Sequence, residues 1–119
     1  MNHTIEEFQQ ALDDFLAYAR ERCKFYQSPG YSIEIEIKEK FAQLIGYCPN
    51  LGSDKPSGSY IGHVCLFDGE NKTLGKWEQG DIKFPGAYGR PAKGPNRGNI
   101  FKPEDRALWF GDHGVRYLR

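Results

Sequence analysis

Lys93-Gly94 and Arg97-Gly98-Asn99 set charge beside glycine twice within seven residues, a pattern by which a backbone holds an anion. Glycine permits close approach and the positive φ that aims successive N–H groups together. An arginine beside it can grip phosphate or carboxylate in a bidentate manner. Both pairs belong to residues 82–103, which contain Lys83, Arg90, Lys93, Arg97 and Lys102 and no acidic residue, among four glycines and four prolines. Tyr88 and Phe101 add flat rings on which a base can stack. The expected ligand is therefore phosphate-bearing, a nucleic acid or a nucleotide. Arg90, Lys93, Gly94, Arg97, Gly98, Asn99 and Lys102 would contact it. This is no P-loop, because Gly-Lys-Ser/Thr is missing and no helix opens behind it. The competing reading is a packed loop whose bases bridge carbonyls and the carboxylates of the amino-terminal helix. In that reading Arg97-Gly98-Asn99 is a left-handed turn in which Asn99 bonds its own backbone.

Other residues suggest chemistry less specifically. His63 and Cys65 lie two apart on an expected strand, hence on one face, and with Cys23 or Cys48 make a conceivable metal or Cys–His pair. Ile61 and Phe67 on that face favour packing, and no metal centre is expected. Asp68, Glu70, Glu78 and Asp81 fall around turns, where two could act as acid and base or hold Mg²⁺; turn formation and strand-edge solubility are the ordinary roles. Asp81, just before the basic stretch, is the foremost of the four, and with Arg97 it defines a phosphate-handling enzyme as a third reading. Asp112-His113 between Gly111 and Gly114 reads as a turn. Trp77, Trp109 and Phe110 are either core or a partner-binding surface. No motif joins an acid/base residue to a nucleophile at a recognised spacing, so the balance falls towards a binding protein without catalytic activity or cofactor.

The elements that must position these residues fit one domain, 1–119. Hydrophobic residues make up 39%, enough to exclude disorder. Sixteen bases and sixteen acids cancel, so a stretch carrying +5 leaves −5 on the remainder. The opening MNHTIEEF has no basic region followed by an apolar run, and no stretch is long enough to cross a bilayer. Three cysteines without CxxC spacing suit a reducing cytoplasm.

Thr4-Ile5-Glu6-Glu7 reads as a capping box. Ile5, Phe8, Leu12, Phe15, Ala19, Cys23 and Tyr26 follow as one apolar stripe on a helix of roughly 20 residues, ended by Ser28-Pro29-Gly30. Tyr31, Ile33, Ile35 and Ile37 alternate with polar residues, a strand with one buried face. Phe41–Tyr47 is its expected hairpin partner through Lys38-Glu39-Lys40; a helix over 38–46 competes on propensity. Cys48–Ser59 reads as loop, Tyr60–Phe67 as a third strand and Asp68–Asn71 as a turn. Leu74–Trp77 and Asp81–Phe84 read as short strands, Pro103–Phe110 as a short helical start, and 113–119 as a final strand. The fold class is α+β: one long amino-terminal amphipathic helix on a small antiparallel sheet, with an irregular basic Gly/Pro-rich segment.

From about residue 64 the order of motifs resembles a family of small proteins of tailed bacteriophages and prophages. The residues concerned are Phe67-Asp68, Gly80-Asp81-Ile82-Lys83, Pro91-Ala92-Lys93-Gly94-Pro95-Asn96-Arg97-Gly98-Asn99-Ile100 and Gly114-Val115-Arg116-Tyr117-Leu118. The chain departs from that pattern in a longer interval, Gly69–Gln79, before Gly80-Asp81. The resemblance implies a phage-associated protein working in the bacterial cytoplasm, and brings no activity with it. Two partners follow as expectations: a phosphate-bearing ligand, or a host protein engaged in host takeover or anti-defence.

Overall fold

The computed structural model describes residues 3–86, 91–92 and 97–116, apart from the side chain of Asp105. Thr4 caps helix α1 (Ile5–Arg22): its Oγ1 accepts from the Glu7 N–H, and Glu7 Oε1 accepts from the Thr4 N–H. Leu12, Phe15 and Ala19 form the buried stripe. The helix stops four residues before that stripe does. Cys23 leaves helical geometry, Lys24–Gln27 make one 3₁₀ turn, and Gln27 Nε2 donates to the Arg20 and Glu21 carbonyls that the helix leaves open. The change of direction seats the Tyr26 ring over Gly46, where a Cβ would lie 2.3 Å from the ring.

Strands β1 (Ser32–Ile37) and β2 (Phe41–Cys48) form the antiparallel hairpin, closed by the Lys38 N–H donating to the Phe41 carbonyl, and the helical alternative over 38–46 is not adopted. Strand β3 spans Ser57–Cys65, beginning inside the stretch expected as loop. Ser57–Ser59 extend it because they continue the β2 ladder opposite Gly46–Cys48. The pairing shifts at Leu44/Ile45 and leaves Ile61 as an extra, bulged residue. The expected turn at 68–71 is displaced. Gly69–Asn71 is strand β4, Gly75–Trp77 is β5, and Asn71 Oδ1 turns the chain by accepting from the Leu74 N–H. Strand β6 (Ile82–Lys83) pairs with β3, giving a sheet of order β1-β2-β3-β6. Pro103–Leu108 form a 3₁₀ segment, then β7 (Phe110–Gly111) and β8 (Gly114–Val115) make a small hairpin around Asp112-His113. Within the expected final strand, 117–119 lie outside the described residues.

The architecture is α+β, with α1 on one face of the sheet. Leu12, Phe15 and Ala19 meet Ile33, Ala42, Leu44, Val64 and Ile82, and Trp109, Phe110 and Val115 close the same core. Burial is not confined to that face. Residues 61–65 of β3 are buried without alternation, so the opposite face of the central strands is covered as well. That second interior holds polar side chains.

Candidate functional site: a buried polar row beside the basic segment

Directly opposed residues on antiparallel strands share a face. Gln43 pairs with His63 and His63 with Lys83, so the three form a row across β2, β3 and β6 on the face away from α1. Their exposures are 8%, 0% and 2%. Phe41 and Tyr60 flank His63, ring centroids 6.0 and 6.1 Å away, and Trp77 of β5 packs on Phe41. Among the described residues neither ring nitrogen of His63 has a hydrogen-bond partner, and burial lowers its pKa from 6.5 to about 4. Cys65, next on this face, is fully buried. Its thiol is pushed up to about 12, first by burial and then by the Asp81 charge, with Lys83 acting in the opposite sense. A reactive Cys–His pair needs an accessible thiolate, and this environment opposes one.

The basic segment runs back along β6. Ala92 N–H donates to the Phe84 carbonyl, Arg97 N–H to the Ile82 carbonyl and Ile82 N–H to the Gly98 carbonyl, with bridges Asp81↔Asn99 and Pro85↔Pro91. Its described residues therefore extend the sheet.

The residues expected to hold a ligand divide into three groups. Tyr88, Arg90, Lys93 and Gly94 lie outside the described residues. Arg97, Gly98 and Asn99 face inward. Arg97 is buried, lies over the Phe84 ring at 5.0 Å and donates from Nε to the Arg116 carbonyl. Gly98 has φ 131 against the Trp109 indole. Asn99 Nδ2 donates to the Gln79 carbonyl and to Asp81 Oδ1, and its Oδ1 accepts from the Phe101 N–H. The Asx turn expected as the alternative is thus present, and it is anchored from outside. On the outer side, Phe101 stacks on the His3 ring at 3.6 Å, and Lys102 Nζ reaches Glu78 Oε2 at 3.6 Å.

Asp68, Glu70, Glu78 and Asp81 do converge. With Lys76, Trp77 and Lys102 they line a groove of about 510 Å³. Arg97 is not on its wall, so this groove does not join it to Asp81. Asp81 itself is buried, with Oδ2 accepting from the Glu78 N–H and Oδ1 from Asn99. No three His, Cys, Asp or Glu side chains group to hold a metal among the described residues. Asp112-His113 sits at the β7–β8 turn, where the Asp112 carbonyl accepts from the Phe25 N–H and His113 packs on the Phe25 ring. Trp77, Trp109 and Phe110 are core.

Sequence reasoning missed the polar row. Lys83 counted only as one more base, and Gln43 drew no attention. The signal was there in the parallel triplets Ala42-Gln43-Leu44, Gly62-His63-Val64 and Ile82-Lys83-Phe84, each a polar residue between two non-polar ones. No helix among the described residues is long and apolar enough to cross a membrane. Compared with known proteins, the chain matches no family model, no curated protein and no solved structure.

Proposed function

We propose that this is a small accessory binding protein, of the phage-associated kind its sequence resembles, that contacts a phosphate-bearing ligand through residues 82–103. The supporting observation is charge segregation: five bases and no acid in this stretch of a chain whose formal net charge is zero. Hydrogen bonding along β6 gives the described part of the stretch a fixed frame, which lowers the entropy lost on binding. Arg97 and Asn99 act as braces of that frame, and Arg90, Lys93 and Lys102 are the charges assigned to the ligand. The test is binding to fluorescent single- and double-stranded oligonucleotides and to a labelled nucleotide at two salt concentrations. Affinity should fall steeply with salt and weaken in Arg90→Ala/Lys93→Ala with the fold retained. Salt-independent behaviour or no binding at low salt removes the reading.

A second reading, engagement of a host protein, rests on the β1 edge. Because 38 and 41 form a hydrogen-bonded pair, Ile33, Ile35 and Ile37 direct their N–H and C=O groups away from β2. Arg20 Nε covers the Ile33 carbonyl, leaving 35–37 open beside Ile37, which is 57% exposed. Protection of the Ile35 and Ile37 amides from hydrogen exchange in a complex would favour this reading over the first.

A further inference from the structure

Strand β1 ends the sheet with a backbone that is open over a short run. The ladder to β2 turns Ile35 and Ile37 outward, and among the described residues nothing bonds to their N–H and C=O groups. Arg20 Nε closes the run at its other end by holding the Ile33 carbonyl. Beside Ile37, which is 57% exposed, lies an apolar groove of about 240 Å³ walled by Ile5, Phe8, Leu12 and Leu66. Ile5 on that wall is 87% exposed. Glu34, Glu36 and Lys38 carry charge on the alternate positions, where Glu34 holds Arg20 and Lys38 holds Glu36. An open edge flanked by exposed isoleucines is a template for another strand.

We infer that this edge pairs with the same edge of a second copy of the chain, antiparallel about a two-fold axis at Glu36. In antiparallel pairing, outward-facing residues bond only when they oppose one another. Setting Ile35 against the partner's Ile37, and Ile37 against the partner's Ile35, uses the open run in both chains, each as a doubly bonded pair. The pairing stops short of the Ile33 carbonyl, which Arg20 occupies. The same register sets Glu34 against the partner's Lys38 on one face. On the other face, the exposed Ile37 is covered by the partner's Ile35. Only Glu36 meets its own copy, and Lys38 of each chain neutralises it. With Arg20 on Glu34, the shared strip balances its carboxylates with an equal number of bases. Centring the axis on Ile35 instead would set Glu34 against the partner's Glu36 twice and would need the covered Ile33 carbonyl. Centring it on Ile37 runs the pairing into the Lys38-Glu39-Lys40 turn. Charge and backbone thus select one register, and the two sheets become continuous with both α1 helices on one side. The pairing goes beyond the phosphate reading and leaves it intact, while it occupies the edge on which the host-protein reading rests.

The experiment follows mass by light scattering and sedimentation across protein concentration for wild type, Glu34→Lys, Lys38→Glu and the double variant. Both side chains are about half exposed, so each variant should fold. Wild type should rise with concentration towards twice the 13.6 kDa of the chain. Each single reversal turns two attractive cross-pairs into repulsive ones and should weaken dimerisation about tenfold or more. The double variant restores opposite charges across the axis and should recover most of that loss, which two independent local effects would not. In a Cys48→Ser background, which removes the half-buried native thiol, Glu36→Cys should give a disulfide-linked dimer on mild oxidation. Opposed residues of a non-hydrogen-bonded pair lie about 4.5 Å apart at Cα, within reach of a disulfide. Glu34→Cys should not crosslink, because its two copies lie about 14 Å apart along the strand. A wild type that stays monomeric up to about 1 mM, where even weak contacts are populated, overturns the proposal. So does a dimer that ignores both reversals and crosslinks through position 34 as readily as 36, because another surface would hold it. Protection of the Ile35 and Ile37 amides that grows with protein concentration alone supports self-pairing. Protection that needs a foreign protein overturns it in favour of the host-protein reading.

Discussion

Asn99 and Asp81 hold each other across an isolated β-bridge, Asn99 Nδ2 lying 3.0 Å from Asp81 Oδ1. The same amide group reaches the Gln79 carbonyl at 2.9 Å, and its oxygen takes the Phe101 N–H at 2.8 Å. One side chain thus ties the basic segment to the loop before β6. Asn99→Ala would leave a buried carboxylate and a carbonyl short of a donor, a loss of about 2–3 kcal/mol in denaturant unfolding. Asn99→Asp should be worse, since it sets a second carboxylate against Asp81. A loss under about 0.5 kcal/mol, the level of an ordinary surface change, would mean that the bridge is not holding the segment.

Two glycines with positive φ separate conformation from contact. Gly75 has φ 74 and nothing within 4 Å of an added Cβ, whereas Gly98 has φ 131 and a Cβ there would lie 2.3 Å from Trp109 Nε1. Gly75→Ala should therefore cost about 1 kcal/mol, the backbone penalty alone. Gly98→Ala must also displace a buried indole and should cost about 3 kcal/mol or more. Equal losses in the two variants would show that Trp109 yields freely.

The three thiols should differ in reactivity. Cys23 and Cys65 are fully buried, and burial pushes them up to about 11 and about 12, while Cys48 is only half-buried. A thiol reagent at pH 8 should modify Cys48 alone in the native protein and all three after unfolding. Rapid native labelling at Cys65 would mean that the covered face of β3 opens readily.

What the sequence disclosed depended on the range of the interaction. The Thr4–Glu7 box and the Ile33-Ile35-Ile37 alternation are local, and both appear where their spacing puts them. The end of α1 was misjudged because Tyr26 keeps the helical period while docking on Gly46, twenty residues away. For Arg97-Gly98-Asn99 two opposite readings fitted the same residues. An arginine points inward or outward according to Phe84 and Arg116, which no local pattern contains. His63 was placed on the correct strand, but whether its face is wet depends on Trp77 and the rings around it. That is settled by tertiary packing.

His63 supplies a pH dependence with a definite sign. Burial lowers its pKa to about 4, whereas the unfolded chain titrates near 6.5. Between those values the unfolded state takes up a proton that the folded state refuses. Unfolding therefore becomes easier as pH falls from 6.5 to 4, and the contribution levels off below that. Above 6.5 both states are neutral and the full contribution, about 3 kcal/mol, is present. Carboxylate titration adds its own acid sensitivity, so the measurement is a difference. Melting of wild type and His63→Phe is followed from pH 7.5 to 4 in phosphate-free buffer. The variant keeps an aromatic ring among Phe41 and Tyr60 but has nothing to protonate, so the gap between the two curves should move in its favour on acidification. Parallel curves would mean that His63 finds a partner or solvent in the folded protein.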